Sequence, residues 1–233
     1  MIACVHQPNF LPWMGFFAKI AASNVYVVMD NVQFPRNSWV NRVRIGGNGP
    51  PVWLTVPVRH GGALDVRIAD VEISWEHDWA RKQVATLRQR YARSSWLDQV
   101  IEPFEMILSD RHRLLVDQNL ELIQSVLRLC EIERPLVRGS RLQAGGSGSA
   151  LIAGMCHEIG ATEYLAGQGA AQYDDLSVYA EHGLGYRSAS YPNPPYRQNA
   201  GKAFEPGLSV FDALLSIGPH KTRDLLLGAV VSK

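Results

Sequence analysis

The side chains best suited to chemistry are crowded into one short run near the start of the chain, His6-Gln7-Pro8-Asn9-Phe10-Leu11-Pro12-Trp13. An imidazole such as that of His6 exchanges protons near neutral pH. The amides of Gln7 and Asn9 can donate and accept, and so can orient a polar substrate. Two prolines and a tryptophan make the run stiff, and stiff polar loops carry function more often than plain connections do. Gly15, just beyond, would let a phosphate or a backbone approach closely. The structural alternative is a hydrogen-bonded core histidine with prolines that only shape a turn.

A second group is Asp30-x-x-Gln33-Phe34. Asp30 could fix the His6 tautomer, bind a ligand amine or hydroxyl, or simply cap a turn. Asn41-Arg42 follows, and a guanidinium there could hold a carboxylate or phosphate by two parallel hydrogen bonds, or stand free on the surface. A third group begins at Tyr164-Leu165-Ala166-Gly167-Gln168-Gly169, where Gly167 and Gly169 permit close backbone approach, with Tyr173 after it. Tyr191, Tyr196 and Gln198 lie in a Pro-rich loop that reads as a substrate lid or a stiff connection.

Other chemistries leave no trace. The chain has no Gly-x-Ser-x-Gly elbow, GxxxxGK[ST] loop, HExxH helix or GxGxxG run, so a hydrolase triad, a P-loop and a zinc helix are unsupported. His77, His112, His157, His182 and His220 lack metal-ligand pairing, and the sequence names neither a cofactor nor a metal. Cys4, Cys130 and Cys156 are too few and too scattered for a disulfide framework and read as packing residues. The net charge is +1, from 23 basic and 22 acidic residues without like-charge blocks, so no nucleic-acid or anionic-membrane surface is expected. Residues 1–5 do not resemble a signal peptide, and no apolar run approaches the roughly 20 residues of a membrane span. A cytoplasmic, reduced protein is the expectation.

The elements that must position these residues follow from periodicity. Residues 2–5 and 25–29 are short apolar strands flanking a helix at 13–22, a βαβ unit with a parallel pair. Residues 39–45 and 52–58 form a hairpin across Gly46-Gly47-Asn48-Gly49, Gly61-Gly62 breaks the chain, and 66–74 alternates again as a strand with an irregularity near Ala69. From Trp75 the period becomes helical: 79–91, then 96–108 started or kinked at Pro103, then 114–132, the strongest amphipathic helix. Residues 136–138, 163–166 and 184–188 read as strands, 150–159 and 173–182 as helices between them, and 208–217 and 221–230 as closing helices. The expected fold is α/β, a Rossmann-like parallel sheet core with an inserted β-hairpin and a helical subdomain. It forms a single domain over 1–233, with the core at 1–74 and 133–233 and the helical insertion at 75–132. Ligands of such sheets bind beyond the carboxyl ends of the strands, where His6, Asp30 and Gly167 fall, and the N-terminus of the first helix would add an anion site.

The opening run, continued as Met14-Gly15-Phe16-Phe17-x-Lys19, resembles the WbqC-like family. So do Asp30-x-x-Gln33-Phe34, Asn41-Arg42, Leu54-Thr55-Val56-Pro57-Val58, Trp79, Tyr91, Tyr164-Leu165-Ala166-Gly167 with Tyr173, Tyr196-x-Gln198 and Phe204-x-Pro206-x-Leu208-Ser209-x-x-Asp212. The resemblance implies a role in bacterial polysaccharide (O-antigen) or natural-product biosynthesis: amide or aminoacyl transfer to an amino sugar or related amine. In that reading His6 is the expected general base, oriented by Asp30 or Asn9. Substrate contacts would come from Gln7, Asn9, Trp13, Gly15, Lys19, Gln33, Asn41, Arg42, Gly167, Tyr173, Tyr196 and Gln198. The donor is expected to be carrier-bound or nucleotide-linked. A more distant likeness links the strand-Pro-helix opening to nucleotidyltransferases, but Trp13 and Phe16 stand where a His-x-Gly-His helix start would place its histidines. Family members carry charged residues near 148–152; here that stretch is Gly/Ser-rich and uncharged. Two alternatives accompany the transferase expectation: a nucleotide-dependent ligase or nucleotidyltransferase, and a non-catalytic binding protein. The last expects His6, Asp30 and Arg42 not to converge.

Overall fold

Ile2–His6 (β1) and Val25–Val28 (β2) flank Met14–Ala21 (α1) in a computed structural model that describes residues 1–35, 38–59, 66–167, 169–198, 203–228 and 231–232. The strand β2 is buried at all four positions, as a strand covered on both faces must be. It runs parallel to β1, with Ala3 beside Val25 and His6 beside Val28. The chain then forms Arg42–Ile45 (β3), Val52–Thr55 (β4), Val58–Arg59 (β5) and Glu72–Ile73 (β6), followed by Trp79–Arg90 (α2), Leu97–Ser109 (α3) and Leu115–Leu129 (α4). It continues through Leu136–Arg138 (β7), Gly148–Glu158 (α5), Glu163–Gly167 (β8), Leu176–Glu181 (α6) and Gly185–Ser190 (β9). Val210–Ile217 (α7), Pro219–Gly228 (α8) and Val231–Ser232 (β10) complete it.

The main sheet has the order β10-β9-β8-β1-β2-β7. The strands β7, β2, β1, β8 and β9 are parallel, and β10 is antiparallel at the edge. Numbered along the chain, the parallel strands lie in the order 3-2-1-4-5, the Rossmann order 3-2-1-4-5-6 without its last strand. The chain builds outward from β1 to β7, then returns to lay β8 against the other side of β1. That reversal makes the crevice between the carboxyl ends of β1 and β8 the topological switch point.

Alternation sorts the strand residues onto two faces. Cys4, Tyr26, Val28 and Leu165 join the larger core, which reaches through α1, the hairpin β3–β4, α2–α4 and α7. Ala3, Val5, Val25, Val27, Tyr164 and Ala166 face α5 and α6. The hairpin pairs Arg42 with Thr55 and Arg44 with Trp53, turning Val43, Ile45 and Leu54 inward and the charged residues outward. All three cysteines are buried and unpaired.

Some boundaries differ from the sequence expectation. The stretch 66–74 is not one strand: Arg67 makes an isolated bridge to Gln33, Ile68–Asp70 is a 3-10 turn, and Glu72–Ile73 pairs with β5. The helix α3 runs Leu97–Ser109, within a residue of the expected span, with Pro103 inside it and not at its start. The expected helix at 173–182 begins at Leu176, where Asp175 caps it by accepting the Ser177 N–H. The Gly61-Gly62 break, Gln168 and the expected helix end at 229–230 lie outside the described residues. Among the described residues no helix is long and apolar enough to cross a membrane.

Candidate functional site

A cavity of about 680 Å³ opens at the switch point. His6 and Gln7 enter it from the end of β1, Gly167 and Ala170 from the end of β8, and Ser190 and Tyr191 from the end of β9. Trp13, Gly15, Phe16 and Lys19 close one wall from α1 and the turn before it.

The run 6–13 is held in place by hydrogen bonds to its own carbonyls. Met29 N–H and the Tyr26 hydroxyl donate to His6 O. The Asn119 amide donates to Pro8 O and Val40 O, the Ser209 hydroxyl to Leu11 O, and Val210 N–H to Pro12 O. Phe10 N–H donates to Trp39 O. Leu11 sits at φ 42, a left-handed conformation unfavourable for a branched side chain and sustained here by these surrounding bonds.

His6 packs edge-on against Phe16 (centroids 5.0 Å) and Trp13 (5.9 Å). Its Nδ1 lies 3.0 Å from Gln7 O. A carbonyl only accepts, so Nδ1 carries the proton and Nε2 presents a lone pair. Burial, reinforced by the positive charge of Lys19 and only partly offset by the bond to Gln7, lowers the His6 pKa from 6.5 to about 3. The ring is therefore neutral at physiological pH, with its acceptor nitrogen unclaimed among the described residues.

Lys19 is only 6% exposed, a rare state for an ammonium without a partner. It donates to Val5 O at 3.0 Å, which uses one of its three N–H donors. Among the described residues no carboxylate lies within ion-pair distance, and Lys19 is one of the residues that line the cavity. A Cβ on Gly167 would stand 3.9 Å from Nζ, so β8 ends directly beside the ammonium. Burial lowers its pKa, with the attractions of Cys4 and Asp174 working against that shift. A desolvated ammonium without a carboxylate partner has the chemistry to hold an anion.

The remaining expected residues stand elsewhere. Asp30 is fully buried and accepts from Arg138 Nε (2.7 Å), Ser140 N–H (2.7 Å) and the Ser140 hydroxyl (2.8 Å). Asn9 is buried outside the cavity lining. Gln33 bridges to Arg67, and Asn41 donates to Val56 O. Arg42 lies over the Trp53 ring, 4.6 Å from its centroid. Tyr173 is exposed near the β8 end. The Tyr196 hydroxyl donates to Asp212, and the Gln198 amide pairs with both backbone groups of Glu205, outside the cavity lining. The close approach that Gly15 permits is that of the Trp13 indole and Tyr191, about 3.0–3.2 Å from where its Cβ would be.

The match to the WbqC-like protein family runs over residues 7–224, nearly the whole chain. The chain belongs to the WbqC-like family. A relative in Mycobacterium tuberculosis, the uncharacterized protein Rv1507c, is 28% identical over 214 residues, covering 91% of this chain and 92% of that protein. No solved structure matches. Several residues of this WbqC-like chain that resemble the family hold the site rather than line it: Ser209 ties down Leu11, and Tyr91 and Tyr196 both donate to the buried Asp212.

Sequence reasoning missed Trp39, Met29 and Ile152 in the lining, because nothing in an apolar residue's type announces a cavity. It also missed Asn119, one of three polar residues, with Gln118 and Ser125, buried on the strongest helix. Tyr191 stood out only as part of the Pro-rich loop; its hydroxyl has no partner among the described residues, and burial pushes its pKa up to about 12. One described cluster has metal-like spacing, Asp110, His112 and Glu121. It lies outside the cavity lining, and its His112–Glu121 contact at 2.6 Å already pairs those two groups.

Proposed function

We propose that this WbqC-like protein is a small-molecule tailoring enzyme that forms or transfers an amide or aminoacyl group on an amine, such as that of an amino sugar or a natural product. One observation carries the reading: a neutral His6, its Nε2 without a partner among the described residues, lines the same switch-point cavity as Lys19, whose ammonium has no carboxylate within ion-pair distance among those residues. Lys19 holds an anionic group of the substrate with its free N–H donors. The amine nitrogen attacks the acyl carbon; the N–C bond forms and the bond to the leaving group breaks. The proton released from nitrogen passes to His6 Nε2 and then to the leaving group. An imidazole whose pKa is about 3 is a weak base. An anion on Lys19 cancels part of the field that weakens it, so anion binding prepares the base.

The test is product formation. Protein is incubated with acyl and aminoacyl thioesters and a panel of amino sugars and primary amines, and amide products are sought by mass spectrometry. His6→Ala is expected to lower turnover about 10²–10⁴-fold, the usual contribution of a general base, with circular dichroism unchanged. Near-normal turnover in that variant would remove His6 from the chemistry. A second reading, non-catalytic ligand binding, is favoured by Asp30 and Arg42 both lying outside the cavity lining. Tight binding of an amine or acyl compound with no product from any pair would establish it. A melting shift with ATP or CTP and magnesium, and product only in their presence, would point to nucleotide-dependent ligation or nucleotidyl transfer.

A further inference from the structure

Aromatic rings lead out of the cavity in sequence. Trp13, which touches His6, meets Trp39 at 5.9 Å between centroids, and Trp39 meets Trp53 at 5.5 Å. Trp39 lines the cavity, yet it and Trp53 are 40% and 48% exposed. Indoles are largely buried in most proteins, and a contiguous exposed apolar patch beside a cavity marks a binding surface. Arg42 stacks on Trp53 and has no carboxylate within ion-pair distance among the described residues. The hairpin explains both placements. Alternation turns Val43 and Leu54 into the core and puts Arg42 and Trp53 on the outer face, held as a diagonal pair by the Arg42–Thr55 and Arg44–Trp53 register. Arg44, by contrast, is paired with Glu205 at 2.7 Å. Beyond Trp53 the surface dips into a groove of about 380 Å³ edged by Asn48, Thr86 and Gln89.

We infer that the Trp39–Trp53–Arg42 surface is an outer subsite for a nucleoside phosphate, the handle of a nucleotide-linked substrate whose reacting end enters the cavity. The inference rests on the cavity being the reaction site. Flat π-faced rings stack on indoles irrespective of base identity, and a guanidinium left free of carboxylates takes phosphate oxygens in a fork. A saturated sugar offers no π face and no charge for Arg42; an acyl chain would use the indoles and leave Arg42 idle.

The experiment is tryptophan-fluorescence quenching and calorimetry on the intact protein with uridine, cytidine, adenosine and guanosine diphosphates. Free nucleosides, inorganic phosphate, neutral disaccharides and phosphopantetheine serve as comparisons. Nucleoside diphosphates are expected to quench and bind. Trp53→Ala should weaken them about tenfold or more, the loss expected for one stacked ring, and Arg42→Ala should weaken diphosphates while leaving nucleosides unchanged. Both side chains are outward-facing, so the variants keep the fold, checked by circular dichroism. Absence of nucleotide binding, binding indifferent to both variants, or preferential binding of the disaccharide or phosphopantetheine on these tryptophans would each overturn the subsite. Amide formation without nucleotide binding would defeat this inference alone. Nucleotide binding without amide formation from any donor would count against the transferase reading and leave the subsite standing.

Discussion

His6 and Lys19 compete for charge in one cavity wall, and that competition can be measured. Burial is the main reason His6 sits at about 3, and the Lys19 charge adds to it. Lys19→Met should therefore raise the His6 pKa, though not to 6.5, because burial persists. An NMR titration of the imidazole in both proteins checks this; an unchanged value would mean that the two groups do not sense each other. The same depressed pKa fixes a sign for stability. Between about pH 6.5 and about pH 3 the unfolded chain holds a proton on this histidine that the folded chain refuses, so stability falls as the pH falls through that window. His6→Gln removes this dependence. The gap in melting temperature between wild type and variant should shift in the variant's favour from about pH 7 to about pH 4; a constant gap would refute the buried neutral ring. Residue types in the sequence pointed to His6 and, through the family pattern, to Lys19. They could not show that Arg42 would lie over an indole or that Asp30 would be satisfied by Arg138 and Ser140, because those outcomes depend on which way a hairpin and two neighbouring strands face.

At the scale of elements, the motif loop owes its shape to segments far away in the chain. Ser209 links two tasks: its hydroxyl oxygen caps α7 by accepting from Phe211 N–H while its proton goes to Leu11 O. Ser209→Ala loses a cap, typically worth about 1 kcal/mol, and strands a buried carbonyl at about 1–3 kcal/mol. The expected cost is about 2–4 kcal/mol, or about 4–16 °C for a chain this size, with faster hydrogen exchange in residues 9–13. A melting loss below about 1 °C would mean that the loop stands without this anchor. Strands and helices with strong periodicity were legible within a few residues. The stretch 66–74 was not, since its alternation is compatible with a 3-10 turn followed by two paired residues once Leu115 N–H claims Val71 O. Pro103 gave a boundary signal that the packing of Val100, Ile101 and Phe104 in the core overrides.

For the whole molecule, the order 3-2-1-4-5 turns a list of polar residues into a site at one place and a brace at another. The βαβ rhythm made a parallel sheet legible, but only strand order separates the β1–β8 crevice, where the cavity opens, from the β2–β7 side. Asp30 follows β2 and lies outside the cavity lining. Its carboxylate gathers Arg138 and Ser140 at the end of β7, and Arg138 reaches on to Asp117 in α4 at 2.9 Å. We therefore assign Asp30 to clamping the sheet to α4, the helix that carries Asn119 and, through it, holds Pro8. Removing one partner of a buried ion pair costs about 3–5 kcal/mol, and the lower end applies because Asp117 still holds the other arm of Arg138. Asp30→Asn should lower the melting temperature by about 6–12 °C while turnover per folded molecule, measured well below the new transition, stays near wild type. His6→Ala should do the reverse, losing turnover and keeping the fold. If Asp30→Asn instead loses turnover by the factor of about 10²–10⁴ expected of an acid–base group with its melting temperature intact, the brace assignment fails and Asp30 returns to the chemistry.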